Sequence, residues 1–106
     1  MMLIVTTFDV PNKRIIKTLG IVKGNTIRAR HIGKDIIAGL RGVVGGELHE
    51  YTKLLAESRE QALDRMVEDA EALGANAIVG MSFTTSVMAQ GSAELMAYGT
   101  AVVIED

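Results

Sequence analysis

The sequence predicts an α+β fold with a mostly antiparallel sheet, one long helix and one short helix, in the order β-β-α-α-β-β. Three observations indicate this class. Residues 47–73 repeat apolar side chains at helical spacing, the repeat changes from 3.6 to 2 after Gly74, and β-branched residues alternate near both ends of the chain. The length of 106 residues fits a single domain over 1–106.

The composition restricts both the core and the function. Apolar residues make up 48% of the chain but aromatic residues only 4%, so we expect an aliphatic core in which some of the six Met fill gaps. The absence of Cys excludes disulfides, thiolate metal sites and a Cys nucleophile. The net charge of −2 argues against nucleic acid or an anionic membrane as the main partner. With neither a signal peptide nor a membrane-spanning run in the sequence, we expect a cytoplasmic protein.

The first third of the chain is typical of strands. Residues 3–8 predict one strand and residues 14–22 a second, and Val10-Pro11-Asn12 between them is a turn sequence. Gly20 within the second strand predicts a bulge or a close neighbour. Residues 23–25 predict a turn or bulge before a short strand extension. We expect the first two strands to pair as a hairpin.

The middle of the chain is helical. Asp35 is a candidate N-cap for a short helix, weakened by Gly39 and Gly42, and Gly45-Gly46 then breaks the helical pattern. The long helix is expected to begin near Glu47. Gly74 should supply the left-handed position that ends it.

The last third predicts two strands, at 77–88 and 94–105, with a turn at 90–92 between them. On the first of these strands the bulkier side chains Val79, Met81 and Phe83 are expected to face the helix. One helix covers only one face of a sheet, so the small, uncharged side chains of the other set predict a subunit interface. This predicted interface comprises Ile78, Gly80, Ser82, Thr84, Ala97, Gly99 and Ala101.

Three candidate metal ligands, Glu47, His49 and Glu50, stand at the start of the long helix. They do not form the zincin motif HExxH, because Lys53 occupies the place of the second His. One such segment cannot close a tetrahedral site, although several copies around a symmetry axis could. The favoured alternative is a solvated helix start, at which acidic residues are stabilised by the helix dipole.

Two further patterns have simpler explanations. The glycines at 39–46 match neither phosphate-binding motif, which favours hinge and packing roles. The cationic group formed by Arg28, Arg30, His31 and Lys34 could meet an anion. A solvated edge that blocks strand pairing is the favoured interpretation.

A set of motifs spread over nearly the whole chain resembles the YbjQ-like family. The set comprises Gly20 with Gly24, Asp35, Gly45-Gly46, Tyr51, Leu55 with Arg59 and Ala62, Leu-Gly-Ala-Asn-Ala at 73–77, Val79-Gly80 and Gly-Thr-Ala-Val at 99–102. The resemblance implies a dodecin-like fold, ring-shaped homo-oligomers expected to be pentamers, and a heavy-metal-binding label. It brings no agreed catalytic residues. This chain has Glu47 where family members commonly have Arg.

Two classes of function follow. The first is a homo-oligomeric binding or scaffold protein, its partner being itself, that holds a divalent or heavy-metal ion or a small ligand at its subunit interfaces. The alternative is an enzyme whose active site is assembled between subunits. Because few acid–base residues converge in the sequence, we favour the first class and assign no catalytic residues.

Overall fold

A computed structural model describes residues 1–28, 45–87 and 93–106. The predicted short helix after Asp35 and the predicted turn at 90–92 lie outside these residues. The described part is α+β, as predicted. Its elements are β1 (Leu3–Ile4), β2 (Arg14–Arg28), α1 (Gly45–Ala72), β3 (Ala77–Val87) and β4 (Ala93–Glu105).

The four strands form one mixed sheet in the order β1-β3-β4-β2. β1 is parallel to β3, and β4 is antiparallel to both of its neighbours. The predicted hairpin of the first two strands is therefore wrong. The chain after β1 stays on β3, because Val5 N–H donates to Ile78 O at 2.9 Å and Gly80 N–H donates to Thr7 O at 2.8 Å. The predicted turn at 10–12 is confirmed by the bond from Lys13 N–H to Val10 O at 3.0 Å, and it directs the chain into β2 at the far edge.

β2 is one long strand, and the predicted turn at 23–25 is wrong. Lys23, Gly24 and Asn25 pair with β4 in unbroken register. Gly24 serves helix packing, since a Cβ there would lie 2.1 Å from Ala62 O. The bulge predicted at Gly20 is confirmed by a register shift and a φ of 118°.

α1 packs on β2 and β4 through one stripe of small and flexible side chains. Four buried residues at a spacing of four form this stripe: Ser58, Ala62, Met66 and Ala70. Thr26 is also buried, and its hydroxyl donates to Ser58 O at 3.2 Å. A polar side chain is thus accommodated at the helix–sheet contact without losing its hydrogen bond. No helix in the described part of the chain is long and apolar enough to cross a membrane.

The end of α1 follows the prediction from sequence. Gly74 has a φ of 85°, its N–H donates to Glu71 O at 3.0 Å, and Ala75 N–H donates to Ala70 O at 3.1 Å. These two bonds define a Schellman motif, in which a residue in the left-handed conformation satisfies the last helical carbonyls.

The faces of β3 are the reverse of the prediction only before Gly80, and Met81 after it faces the helix as predicted. Ile78 belongs to the core cluster beneath α1, whereas Val79 packs with Ala77 and Val102 in a second cluster on the opposite face. A bulge at Gly80, with a φ of 62°, then returns Met81 to the helix side. Because both faces bury apolar side chains at this end of the sheet, bulk alone could not identify the face toward the helix.

Candidate interaction surface

The structure places most of the predicted interface residues inside the subunit. Ile78, Ala97 and Ala101 are fully buried beneath α1. Gly99 is buried too, and a Cβ there would lie 2.7 Å from Ile78 Cγ2. The assignment of these four residues to an uncovered face is wrong, because Ile78, Ala97 and Ala101 pack against α1 and Gly99 leaves room for the Ile78 side chain.

The remaining predicted interface residues differ among themselves. Ser82 and Thr84 are exposed, and a neighbouring subunit could reach them. Gly80 is half-buried at the bulge, where Phe8 Cδ1 lies 3.1 Å from the position that a Cβ would take. The φ of 62° at Gly80 favours glycine at this bulge whether or not a subunit packs there.

The described residues cover only half of the sheet face opposite α1. Near the chain ends, Val5 and Val10 pack against the cluster that contains Val79 and Val102. Further along the strands, the register places three rows of residues on this face, since their neighbours along each strand point to the helix. The rows are Ile21–Thr100, Lys23–Tyr98–Ser82 and Asn25–Met96–Thr84, whereas Val79, which pairs with Thr100, is buried in the covered cluster. We call these eight residues the open face.

The open face combines apolar and hydroxyl-bearing side chains. Ile21 is 79% exposed and Tyr98 is 38% exposed. Asn25 Nδ2 donates to Glu94 Oε2 at 2.8 Å, which closes one end of the face with a polar contact. An aromatic and an aliphatic residue with a polar rim are typical of protein–protein contacts.

The candidate metal ligands Glu47, His49 and Glu50 lie within the first six residues of α1. Their side chains lie outside the described atoms. Among the side chains that the structure does describe, no group of three or more His, Cys, Asp or Glu could hold a metal ion. The described part of the chain therefore does not provide the donor set that a resident metal needs.

A cleft between β2 and α1 was missed by the sequence analysis. It has a volume of about 550 Å³ and is lined by Lys23, Gly24, Asn25, Arg65, Glu68 and Asp69. Asp69 Oδ2 accepts a hydrogen bond from Lys23 N–H at 3.2 Å, and the Arg65 guanidinium donates to Asn25 O. The available signal was the spacing of Arg65 and Asp69, which places both on one face of a helix.

Comparison with known proteins identifies the family. Residues 2–105 match the model of a family described as "Putative heavy-metal-binding", the YbjQ-like family. The chain belongs to this family. Several relatives named UPF0145 protein are similar over almost their whole length. That of Methanosarcina acetivorans is 58% identical over 103 residues, covering 97% of each chain. One from Dehalococcoides mccartyi is 57% identical over 104 residues, covering 98% of this chain and 100% of the relative.

A solved structure has the same fold as this YbjQ-like chain. It is a protein with unknown function from Pediococcus pentosaceus, similar with a TM-score of 0.65 over 98% of each chain. The sequence identity is 17%, so the likeness extends to the fold alone.

Proposed function

We propose that this YbjQ-like protein is a homo-oligomeric binding or scaffold protein whose subunits meet at the open face of the sheet. The observation that carries the proposal is the 79% exposure of Ile21, next to the partly exposed Tyr98, on a face that the described residues leave half covered. Burying a side chain of this kind in a contact stabilises by roughly 1.5–3 kcal/mol. Small hydroxyl side chains at Ser82 and Thr84 let a second subunit approach closely.

We propose that the assembly is a closed ring. The number of five subunits and the dodecin-like fold of each subunit are what the family resemblance implies. A ring closes with a fixed number of subunits, so the assembly does not grow without limit. We place the assembly in the cytoplasm, in keeping with a Cys-free chain.

Sedimentation equilibrium at micromolar concentration tests the assembly. We expect the parent protein to sediment as a multiple of its 11.4 kDa chain mass. Ile21→Glu should lower the mass, because an ionised carboxylate would be buried in the contact without a partner. The fold of the single chain should survive, since Ile21 is largely exposed within the subunit. Leu73→Glu is the matched control, because Leu73 is 47% exposed at the end of α1, away from the open face.

A parent protein that sediments at the mass of one chain contradicts the proposal. If the parent is an oligomer and Ile21→Glu leaves its mass unchanged, the subunits meet at another surface. Gly80→Glu is a poor test of the ring, because the positive φ of Gly80 strains any side chain before a neighbour is considered.

The ligand that we propose for the assembly is a weakly held divalent or heavy-metal ion, with Glu47, His49 and Glu50 as donors from several subunits. One chain supplies too few converging ligands, so binding depends on the oligomer. Isothermal titration calorimetry with Zn²⁺ should find only weak uptake by the parent protein and none by the Glu47→Gln/His49→Ala variant. Unchanged uptake by that variant excludes these two residues as ligands.

A further inference from the structure

The outer edge of β2 carries backbone groups that β4 does not use. β2 is the last strand of the sheet, and its other neighbour among the described residues is α1. Lys23 N–H donates to Asp69 Oδ2 at 3.2 Å, and Asn25 O accepts from the Arg65 guanidinium. Residues two apart on a strand present their N–H and C=O groups to the same side. Both contacts are therefore made on the outer side of β2.

The two helix side chains supply what a neighbouring strand would supply. A paired strand offers a carbonyl acceptor to each outward N–H and an N–H donor to each outward carbonyl. Here Asp69 is the acceptor and Arg65 is the donor. Their spacing of four residues aligns them along one face of α1, and Gly24 lets the helix come close enough for them to reach the strand edge.

The contacts of Arg65 and Asp69 lie in the half of β2 that is regular enough to pair with another strand. The first half of the strand has register shifts between Ile15 and Lys17 and between Thr18 and Gly20. Bulges of this kind disturb the regular spacing that an added strand requires. From Gly20 onward the register is unbroken, so this half is where another strand can pair, and the contacts of Arg65 and Asp69 lie within it.

We propose that Arg65 and Asp69 form an edge clamp, which occupies the strand-pairing position of β2 and keeps an extended strand of a second copy of this chain from adding there. The clamp limits self-association to other surfaces. This inference goes beyond the proposed assembly, because the clamp acts at the edge of the sheet and the assembly contact lies on the open face. The clamp is intact when both backbone groups are bonded to the helix and released when the helix side chains withdraw.

Hydrogen exchange in the parent protein gives a first test that needs no variant. The Ile21 amide has the same parity along β2 as the Lys23 amide and therefore also points outward. Of these two amides, only that of Lys23 has a partner among the described residues of the helix. We expect the Lys23 amide to exchange at least about tenfold more slowly than the Ile21 amide, measured residue by residue by NMR. Equal and fast exchange of the two amides would overturn the clamp.

The second test removes the clamp. Arg65→Ala/Asp69→Ala should accelerate exchange at Lys23 and increase the mass of the protein in light scattering beyond that of the parent. Glu68→Ala is the matched control, because Glu68 lines the same cleft and is not one of the two bonded residues. Circular dichroism confirms that each variant is folded.

A third variant distinguishes strand addition from other association. Lys23→Pro removes the outward N–H without removing a bond to β4, and proline is tolerated at a strand edge. Because Lys23 also belongs to the open face, the single variant Lys23→Pro is the reference, and the triple variant should have the same mass as this reference. If the double variant keeps the parental mass, or if the added proline leaves the larger mass in place, the edge clamp is excluded.

Discussion

Asn76 and Ile104 are joined by a reciprocal pair of hydrogen bonds between a side chain and a backbone. Asn76 Nδ2 donates to Ile104 O at 2.9 Å, and Ile104 N–H donates to Asn76 Oδ1 at 2.7 Å. The amide side chain thereby reproduces the bonding of one more residue of β3, whose first residue is Ala77. β4 is thus held at its C-terminal end by a residue that lies before the neighbouring strand.

Asn76→Ala should lower the free energy of unfolding by about 1–2 kcal/mol, because two hydrogen bonds are lost at an exposed position. Chemical denaturation followed by circular dichroism measures the loss. Asn76→Asp is the informative comparison, since a carboxylate can accept from Ile104 N–H but cannot donate to Ile104 O. A loss for Asn76→Ala that stays within error of zero contradicts the assignment.

Gly74→Ala should destabilise by about 1 kcal/mol, through backbone strain alone. Gly74 has a φ of 85°, and a Cβ added there would have no atom within 4 Å. Gly74→Asn serves as the control, because Asn tolerates the left-handed conformation better than Ala does. Equal unfolding midpoints for the parent and the Ala variant would count against strain at this position.

Much of the architecture follows from local patterns in the sequence. Gly74 predicted where α1 ends, since a left-handed residue terminates a helix. The start was expected near Glu47, after a break at Gly45-Gly46, whereas α1 begins at Gly45 and includes both glycines. The turn at 10–12 and the bulge at Gly20 were likewise predicted from residue types. Each of these features is determined within a few residues along the chain.

The sheet order and the strand faces required information that is not local. Gly24 resembles a turn residue in the sequence, yet its function is to let α1 approach, which depends on Ala62 and Met66 far along the chain. The faces of β3 depended on the bulge at Gly80 and on a second apolar cluster supplied partly by the N-terminal segment. Because the faces of β3 before Gly80 were predicted wrongly, several residues of the predicted subunit surface were wrong too. The residues of the open face could be assigned only from the register of β2 on β4.

The start of β2 and the end of its neighbour β4 are linked by charge. Lys13 forms an ion pair with Asp106, and Arg14 forms one with Glu105. The hydrogen bond and the positive charge of Lys13 lower the pKa of Asp106. A lowered pKa in the folded state means that this contact stabilises at pH values above the unfolded pKa and is lost as the pH falls through the folded pKa.

Lys13→Ala should therefore raise the pKa of Asp106 toward its ordinary value. An NMR titration of the Asp106 carboxyl carbon in both proteins measures the change. Lys17→Ala is the control, because Lys17 carries the same charge four residues further along the chain, in β2, and does not make this contact. Identical titration curves for the parent and the Lys13 variant would show that the pair does not persist in solution.

Gly24→Ala tests the close approach between β2 and α1. A Cβ at this position would lie 2.1 Å from Ala62 O and 2.4 Å from Met66 N, both of which are backbone atoms. Neither can rotate away, so the helix must move off the strand, at a cost of about 1–3 kcal/mol. The loss should exceed that of Gly74→Ala, where the added methyl group meets no atom. The displacement should also withdraw Arg65 and Asp69 from the strand edge, so exchange at the Lys23 amide should accelerate in Gly24→Ala and not in Gly74→Ala. A Gly24→Ala protein with parental stability and a slowly exchanging Lys23 amide would mean that the helix does not pack this closely on the strand.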